Sequence, residues 1–215
     1  MSGVGDLRVA AEEAIADDAG QSSGTVVPIS EPTVAADRGV DGAPDAPPTS
    51  EAGPPDAATS TVKRVFASSV TYTADMGGLA GADARCNELA QAAGLGGTFV
   101  AWLSTTLVAA RDRVTSDGPW SLVGESDVAV TKVELTSPPL TKPIRRDETG
   151  AFVSGRVWTG TGAGGGLLAG DCRGWTEDRG TDDTAVGDTG SNGPSWTAAR
   201  PTECVGNRRL YCFQL

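Results

Sequence analysis

"GGLAGADARCNELAQAAGLGGTFVAWL", Gly77 to Leu103, decides how the rest of the chain is read. Ala82, Cys86, Leu89, Ala90 and Ala93 recur at helical spacing on one face, while Asp83, Arg85, Asn87, Glu88 and Gln91 fall on the other. The spacing predicts a helix over about residues 82–93. Gly94 stands where a left-handed residue closes a helix, and Leu95 is placed to fold back onto Ala90. Cys86 therefore faces a core. A lone buried cysteine is an ordinary small hydrophobe, so its meaning depends on the rest of the chain.

Working outward, "KRVFASSVTYT" from Lys63 is β-branched and aromatic and reads as a strand, as does "TFVAWLST" over residues 98–105. Between 106 and 150 the pattern weakens to short strand-like pieces, "WSLV" and "KVEL", separated by turn residues. "GAFVSGRVWTG" reads as a hairpin strand, and "RRLYCFQL" as a closing strand that carries Cys212. Trp158-Thr159, Trp175-Thr176 and Trp196-Thr197 repeat a pair at unequal spacing, which excludes a solenoid. Indoles that fill a loop-rich core are the favoured reading over a stacking platform for sugars or bases.

Upstream of residue 62 the composition changes. Residues 1–61 hold two basic and eleven acidic residues, whereas residues 62–215 hold 15 and 17. The formal charge of −11 thus belongs mostly to the first segment, whose "DGAPDAPPTSEAGPPDAATST" is too poor in apolar surface to offset its ordering entropy. A disordered acidic tail is expected over 1–61, and a folded domain over 62–215. The first twenty residues lack the basic and apolar regions of a signal peptide. An exported protein would then need a signal upstream of Met1 or another export route. No run approaches the ~18 apolar residues of a membrane span, and no concentrated basic face points to nucleic acid. Arg145-Arg146 and Arg208-Arg209 read as solvated pairs.

The four cysteines, Cys86, Cys172, Cys204 and Cys212, contain no C-x-x-C pair, and the chain has no histidine. Zinc sites favour both, so disulfides in an oxidising compartment fit better. Four cysteines allow three connectivities. The absence of histidine also excludes Ser-His and Cys-His catalysis. Asp147-Glu148 or Asp182-Asp183 are the acid pairs a glycoside hydrolase would draw on, but adjacent acids in polar stretches read as solvated turns. "GTGAGG" (160–165) matches a dinucleotide fingerprint, yet "GLLAGDCRGW" follows in place of the helix such a site requires. The acidic stretch 176–196 offers Glu177, Asp178, Asp182, Asp183, Asp188 and Asn192 as oxygen ligands for calcium.

Taken together, "RVF-SS-TYT", the Gly-Ala-Asp-x-x-Cys helix with its Gly-Leu-x-Gly-Thr-Phe end, "DETG--VSG-VWTGT" and "RLYCFQL" resemble a bacterial domain family of unknown function found in secreted and surface proteins. That family is similar to the endostatin domain of collagens, and both have the C-type lectin-like fold. The resemblance spans about residues 63–215. It implies an α+β, disulfide-stapled domain in which Cys86 pairs with Cys212 and Cys172 with Cys204. It does not carry over ligands: endostatin's zinc histidines and clustered heparin-binding arginines have no counterpart here, nor do the Glu-Pro-Asn, Gln-Pro-Asp and Trp-Asn-Asp triplets of calcium-dependent lectins. The expected function is a non-catalytic recognition or adhesion module, extracellular or on the cell surface, for a glycan or protein ligand. A structural, envelope-associated interaction domain is the alternative, and a carboxylate-dependent hydrolase is a more distant one.

Overall fold

The computed structural model describes residues 62–180 and 183–215. The expectation of a disordered tail, and the candidate ligand Asp182, lie outside the described residues. The domain is mixed α+β. Strands β1 (Lys63–Ala67), β2 (Phe99–Ala101), β3 (Trp120–Leu122), β4 (Val128–Val130) and β8 (Tyr211–Gln214) form one sheet in the order β2-β8-β1-β3-β4. Strands β5 (Arg156–Trp158), β6 (Asp183–Asp188) and β7 (Arg200–Glu203) form a second, antiparallel sheet with β6 at its centre. Helix α1 (Gly78–Ala92) is joined by two single-turn segments, α2 (Ala110–Arg113) and α3 (Cys172–Trp175).

The first and last strands are neighbours, β1 running antiparallel to β8 with Val65 opposite Phe213 and Ala67 opposite Tyr211. Alternation along these strands feeds two apolar clusters, one on each face. Phe66, Phe99 and Cys212 join Cys86, Ala82 and Ala90 of α1 on one side. Val65, Ala67, Tyr211 and Phe213 join Trp102, Trp120 and Trp196 on the other. All five tryptophans are fully buried, as the core reading of the Trp-Thr pairs expects. Thr159 and Thr197 are buried beside them, and the Trp102 indole donates to Thr197 Oγ1 at 2.8 Å.

Helix α1 begins four residues earlier than the apolar spacing predicts. Its end is as read: Gly94 has φ +72°, its N–H donates to Gln91 O at 3.0 Å, and the Leu95 N–H donates to Ala90 O at 2.8 Å. Asp83 and Asn87, on the face opposite the apolar stripe, are met by a strand. β2 is an edge strand, and these two side chains bond its open backbone groups. Asp83 Oδ1 accepts from Ala101 N at 2.8 Å, while Asn87 both accepts from Phe99 N and donates to Phe99 O. An unpaired edge is an aggregation template, and here helix side chains cover it.

Two disulfides close the fold, Cys86–Cys212 and Cys172–Cys204, the pairing that the resemblance implies. The outer one ties α1 to the last strand across 126 residues; the inner one spans 32. Three local expectations fail. "KVEL" is a series of turns, because Glu134 Oε2 accepts from Thr131 N at 2.7 Å and closes the segment on itself; the strand is Val128–Val130. In "GAFVSGRVWTG" only Arg156–Trp158 joins the second sheet, while Phe152 pairs with Arg146. The 176–196 stretch is not a loop throughout, since β6 runs through it with Thr184 to Gly187 buried.

Candidate functional site

The site is built by a short hairpin over residues 145–153. Val153 N donates to Arg145 O and Asp147 N donates to Ala151 O, which sets Arg146 opposite Phe152. Asp147 makes the turn: its Oδ1 accepts from the N–H groups of Thr149 and Ala151, both at 2.9 Å, and from the Thr149 hydroxyl. Gly150 has φ +85°, and a Cβ there would come within 3.3 Å of Val123 O. Glu148 accepts from both the N–H and the hydroxyl of Ser69, which docks the hairpin on the end of β1. Asp147 and Glu148 are therefore buried, at 6% and 5% exposure, and not solvated as their sequence context implied. Hydrogen bonding to backbone and hydroxyl donors makes burial of these acids tolerable.

Locked in this way, the hairpin pushes Phe152 outward. The residue is 63% exposed, with the Arg146 guanidinium 3.4 Å and the Arg145 guanidinium 5.2 Å from the ring centroid. Phe152 and Arg145 stand between two open clefts and line both. One, of about 490 Å³, is completed by Val153, Ser154, Asp188, Thr189 and Gly190. The other, of about 220 Å³, is completed by Leu122, Glu125, Lys142 and Pro143.

The charges around these clefts are mostly paired. Glu125 takes Lys142 at 2.9 Å and Arg146 at 3.1 Å, and these two hydrogen bonds hold its carboxyl below the usual range. The same contact with Glu125 raises the Lys142 ammonium. Asp188 takes Arg156 at 3.1 Å and also accepts from Gly190 N. Arg145 makes no ion pair among the described residues. Arg145 is exposed, as the solvated reading expects, but for Arg146, Arg208 and Arg209 that expectation is corrected. Arg146 packs on Phe152, Arg208 lies 4.8 Å over the Trp158 ring, and Arg209 donates to the carbonyls of Ser68 and Ser69, both at 2.6 Å.

The calcium candidates among the described residues are spread along the 176–196 stretch. Asp183 and Asp188 stand at opposite ends of β6, about 17 Å apart at an extended strand's rise. Glu177 pairs with Arg173 at 2.7 Å, and Asp178 lies 3.7 Å from Arg179. Asn192 donates its side-chain N–H to Leu140 O at 3.2 Å. No group of three or more acidic, cysteine or histidine side chains among the described residues is placed to hold a metal ion. Among the described candidates only Asp188 lines the cleft, where it is an ion-pair partner of Arg156.

Sequence reasoning missed Phe152, Arg145 and Arg146 as a unit. The available signal was "RRDETGAF", in which an Asp-x-x-Gly turn sets the residue before it opposite the one following Ala151. Set beside known proteins, the chain matches no family model, and no curated protein matches it. No helix among the described residues is long and apolar enough to cross a membrane.

Proposed function

We propose that the domain is a non-catalytic recognition module of C-type lectin-like architecture, exported from the cell, which takes its ligand over Phe152. The observation that carries this reading is an exposed aromatic ring held between two clefts by a hairpin whose own acids are buried in structural hydrogen bonds. Large aromatics exposed on a rigid support are typical anchors of recognition surfaces. The architectural part of the proposal rests on the paired first and last strands and on the two nested disulfides, one from the opening helix to the closing strand. Two buried disulfides are compatible with an extracellular location.

Asp147 and Glu148 weigh against the hydrolase reading. Both carboxylates are committed to turn and docking hydrogen bonds, and neither lines either of the two clefts. The test is binding of the oxidised full chain to an array of glycans and extracellular matrix components, with and without a chelator, alongside Phe152→Ala. Chelator-insensitive binding that Phe152→Ala abolishes is the expected result. Binding that survives Phe152→Ala moves the site elsewhere, and retention of nothing on the array favours the structural, envelope-associated role.

A further inference from the structure

The two clefts beside Phe152 specify a class of ligand. We infer that they bind a linear acidic oligosaccharide, one uronate ring stacked on Phe152 with its carboxylate on Arg145, by a route that needs no calcium. This rests on the recognition reading above and narrows it.

Length comes first. Clefts on both sides of a shared Phe152–Arg145 ridge accommodate a ligand that crosses the ridge, so it has at least two units. Arg146 packs on the ring, and the part of it left exposed supplies an apolar platform for the C–H face of a sugar. Ser154 is exposed on one side, and the paired Lys142–Glu125 on the other, so hydroxyl-bearing units meet polar partners in both directions.

Charge then selects among sugars. Every carboxylate in the two clefts is already engaged, Glu125 by Lys142 and Arg146, and Asp188 by Arg156. Among the described residues lining the clefts Arg145 is the charge without an ion-pair partner, exposed and 5.2 Å from the ring centroid. A guanidinium fork fits a planar carboxylate with two parallel hydrogen bonds. One free guanidinium matches one carboxylate per stacked ring. A densely sulfated chain would bring several anions against Glu125, Asp127 and Asp188, whose partners are already taken. An acidic peptide offers the carboxylate but no rigid apolar ring face for the platform, which favours the sugar.

The experiment is titration calorimetry of the oxidised full chain with trigalacturonate, its methyl ester, a neutral galactose trisaccharide and a short poly-glutamate peptide, at low and moderate salt. Trigalacturonate should bind, weaken as salt rises, and lose on the order of tenfold or more in affinity on methyl esterification, the value of a charge-assisted hydrogen bond. Arg145→Gln should remove the preference for acid over ester, Arg145→Lys should keep part of it, and Phe152→Ala should abolish binding of every sugar. Chelator should change nothing. Equal affinity for acid and ester overturns the acidic class while leaving the recognition reading standing. Tighter binding of poly-glutamate, absence of sugar binding, or indifference to both Arg145→Gln and Phe152→Ala overturns the proposal. The array result above then shows whether the recognition reading falls with it. Both residues lie on the surface, and unchanged urea midpoints of the variants separate loss of contact from loss of fold.

Discussion

The side chain of Asn87 completes the hydrogen bonding of Phe99. Its Oδ1 accepts from Phe99 N at 2.9 Å and its Nδ2 donates to Phe99 O at 2.7 Å, the exchange that a neighbouring strand would otherwise make. One helical residue therefore substitutes for a missing strand at the edge of the five-stranded sheet. Asn87→Ala leaves two backbone groups of the edge without partners, and should destabilise the domain by about 2–3 kcal/mol. Urea denaturation with an unchanged slope checks this, and a rise in aggregation at concentrations where the parent stays monodisperse is expected alongside.

One turn away, Asp83 and Arg113 form a two-point ion pair at 2.6 Å, with the arginine side chain only 9% exposed. Arg113 also donates to Ala101 O, so the pair clamps the same edge strand to α1 and α2. Removing either partner strands the other. Arg113→Met or Asp83→Leu alone should cost about 3–5 kcal/mol, and the double variant less than the sum of the two. Additive losses in a double-mutant cycle would show that the two act independently.

The disulfides should be unequal. In the loop-entropy treatment, closing 126 residues contributes about 5 kcal/mol and closing 32 about 3.7 kcal/mol. Replacing Cys86 and Cys212 by Ala is therefore expected to lower stability by about 1 kcal/mol more than replacing Cys172 and Cys204. Equal losses, read from urea midpoints of the two double variants, would contradict the entropic account for this domain.

Acid should weaken the fold through Asp171. Burial pushes its carboxyl up, but N–H groups of Thr106 and Gly174, at 2.8 and 3.0 Å, outweigh that and leave it lowered. A carboxyl lowered by folding contributes stability above its unfolded value, about 3.9, and that contribution is lost as pH falls through the folded value. Asp171→Asn should be less stable than the parent at neutral pH, with the difference shrinking below about pH 4. A constant difference across that range would show that hydrogen-bond geometry, and not charge, is what Asp171 supplies.

Tyr211 gives the opposite limb. Burial raises its hydroxyl well above the ordinary range, and the oxygen has no hydrogen-bond partner among the described residues. A group raised by folding contributes fully below its unfolded value, about 10 for tyrosine, and its contribution is lost as pH rises beyond that. Tyr211→Phe should therefore keep or raise stability at pH 7, by up to about 1 kcal/mol. It should also flatten the loss above about pH 10. A large loss at pH 7 would reveal a partner for the hydroxyl.

What was legible in the sequence was whatever depends on local period. Cys86 inside, Gly94 at the helix end and the closing strand at Cys212 all follow from spacing along the chain. A helical wheel sets Asp83 and Asn87 apart from the apolar face but cannot tell a strand edge from water, since both satisfy polar groups. "KVEL" alternates as a strand does, yet one carboxylate capping Thr131 turns it aside. The acidic stretch hid β6 because four buried residues, Thr184 to Gly187, are too few to set a pattern against surrounding aspartates. The cleft was least visible. Arg145 and Phe152 meet only after a turn made by Asp147, and pairing across a turn leaves no periodic trace.

The position of the 145–153 hairpin gives the domain a front and a back. β1 starts at Lys63, beside the end of β8, where Arg64 N donates to Gln214 Oε1. It finishes at Ala67, whose N–H donates to Arg146 O within that hairpin. Lys63 and Leu215 thus lie at one end of the sheet, and Phe152 stands at the other. A tether, a fusion partner or a solid support joined after Leu215 would hold the domain by that end and turn the aromatic ridge toward whatever approaches.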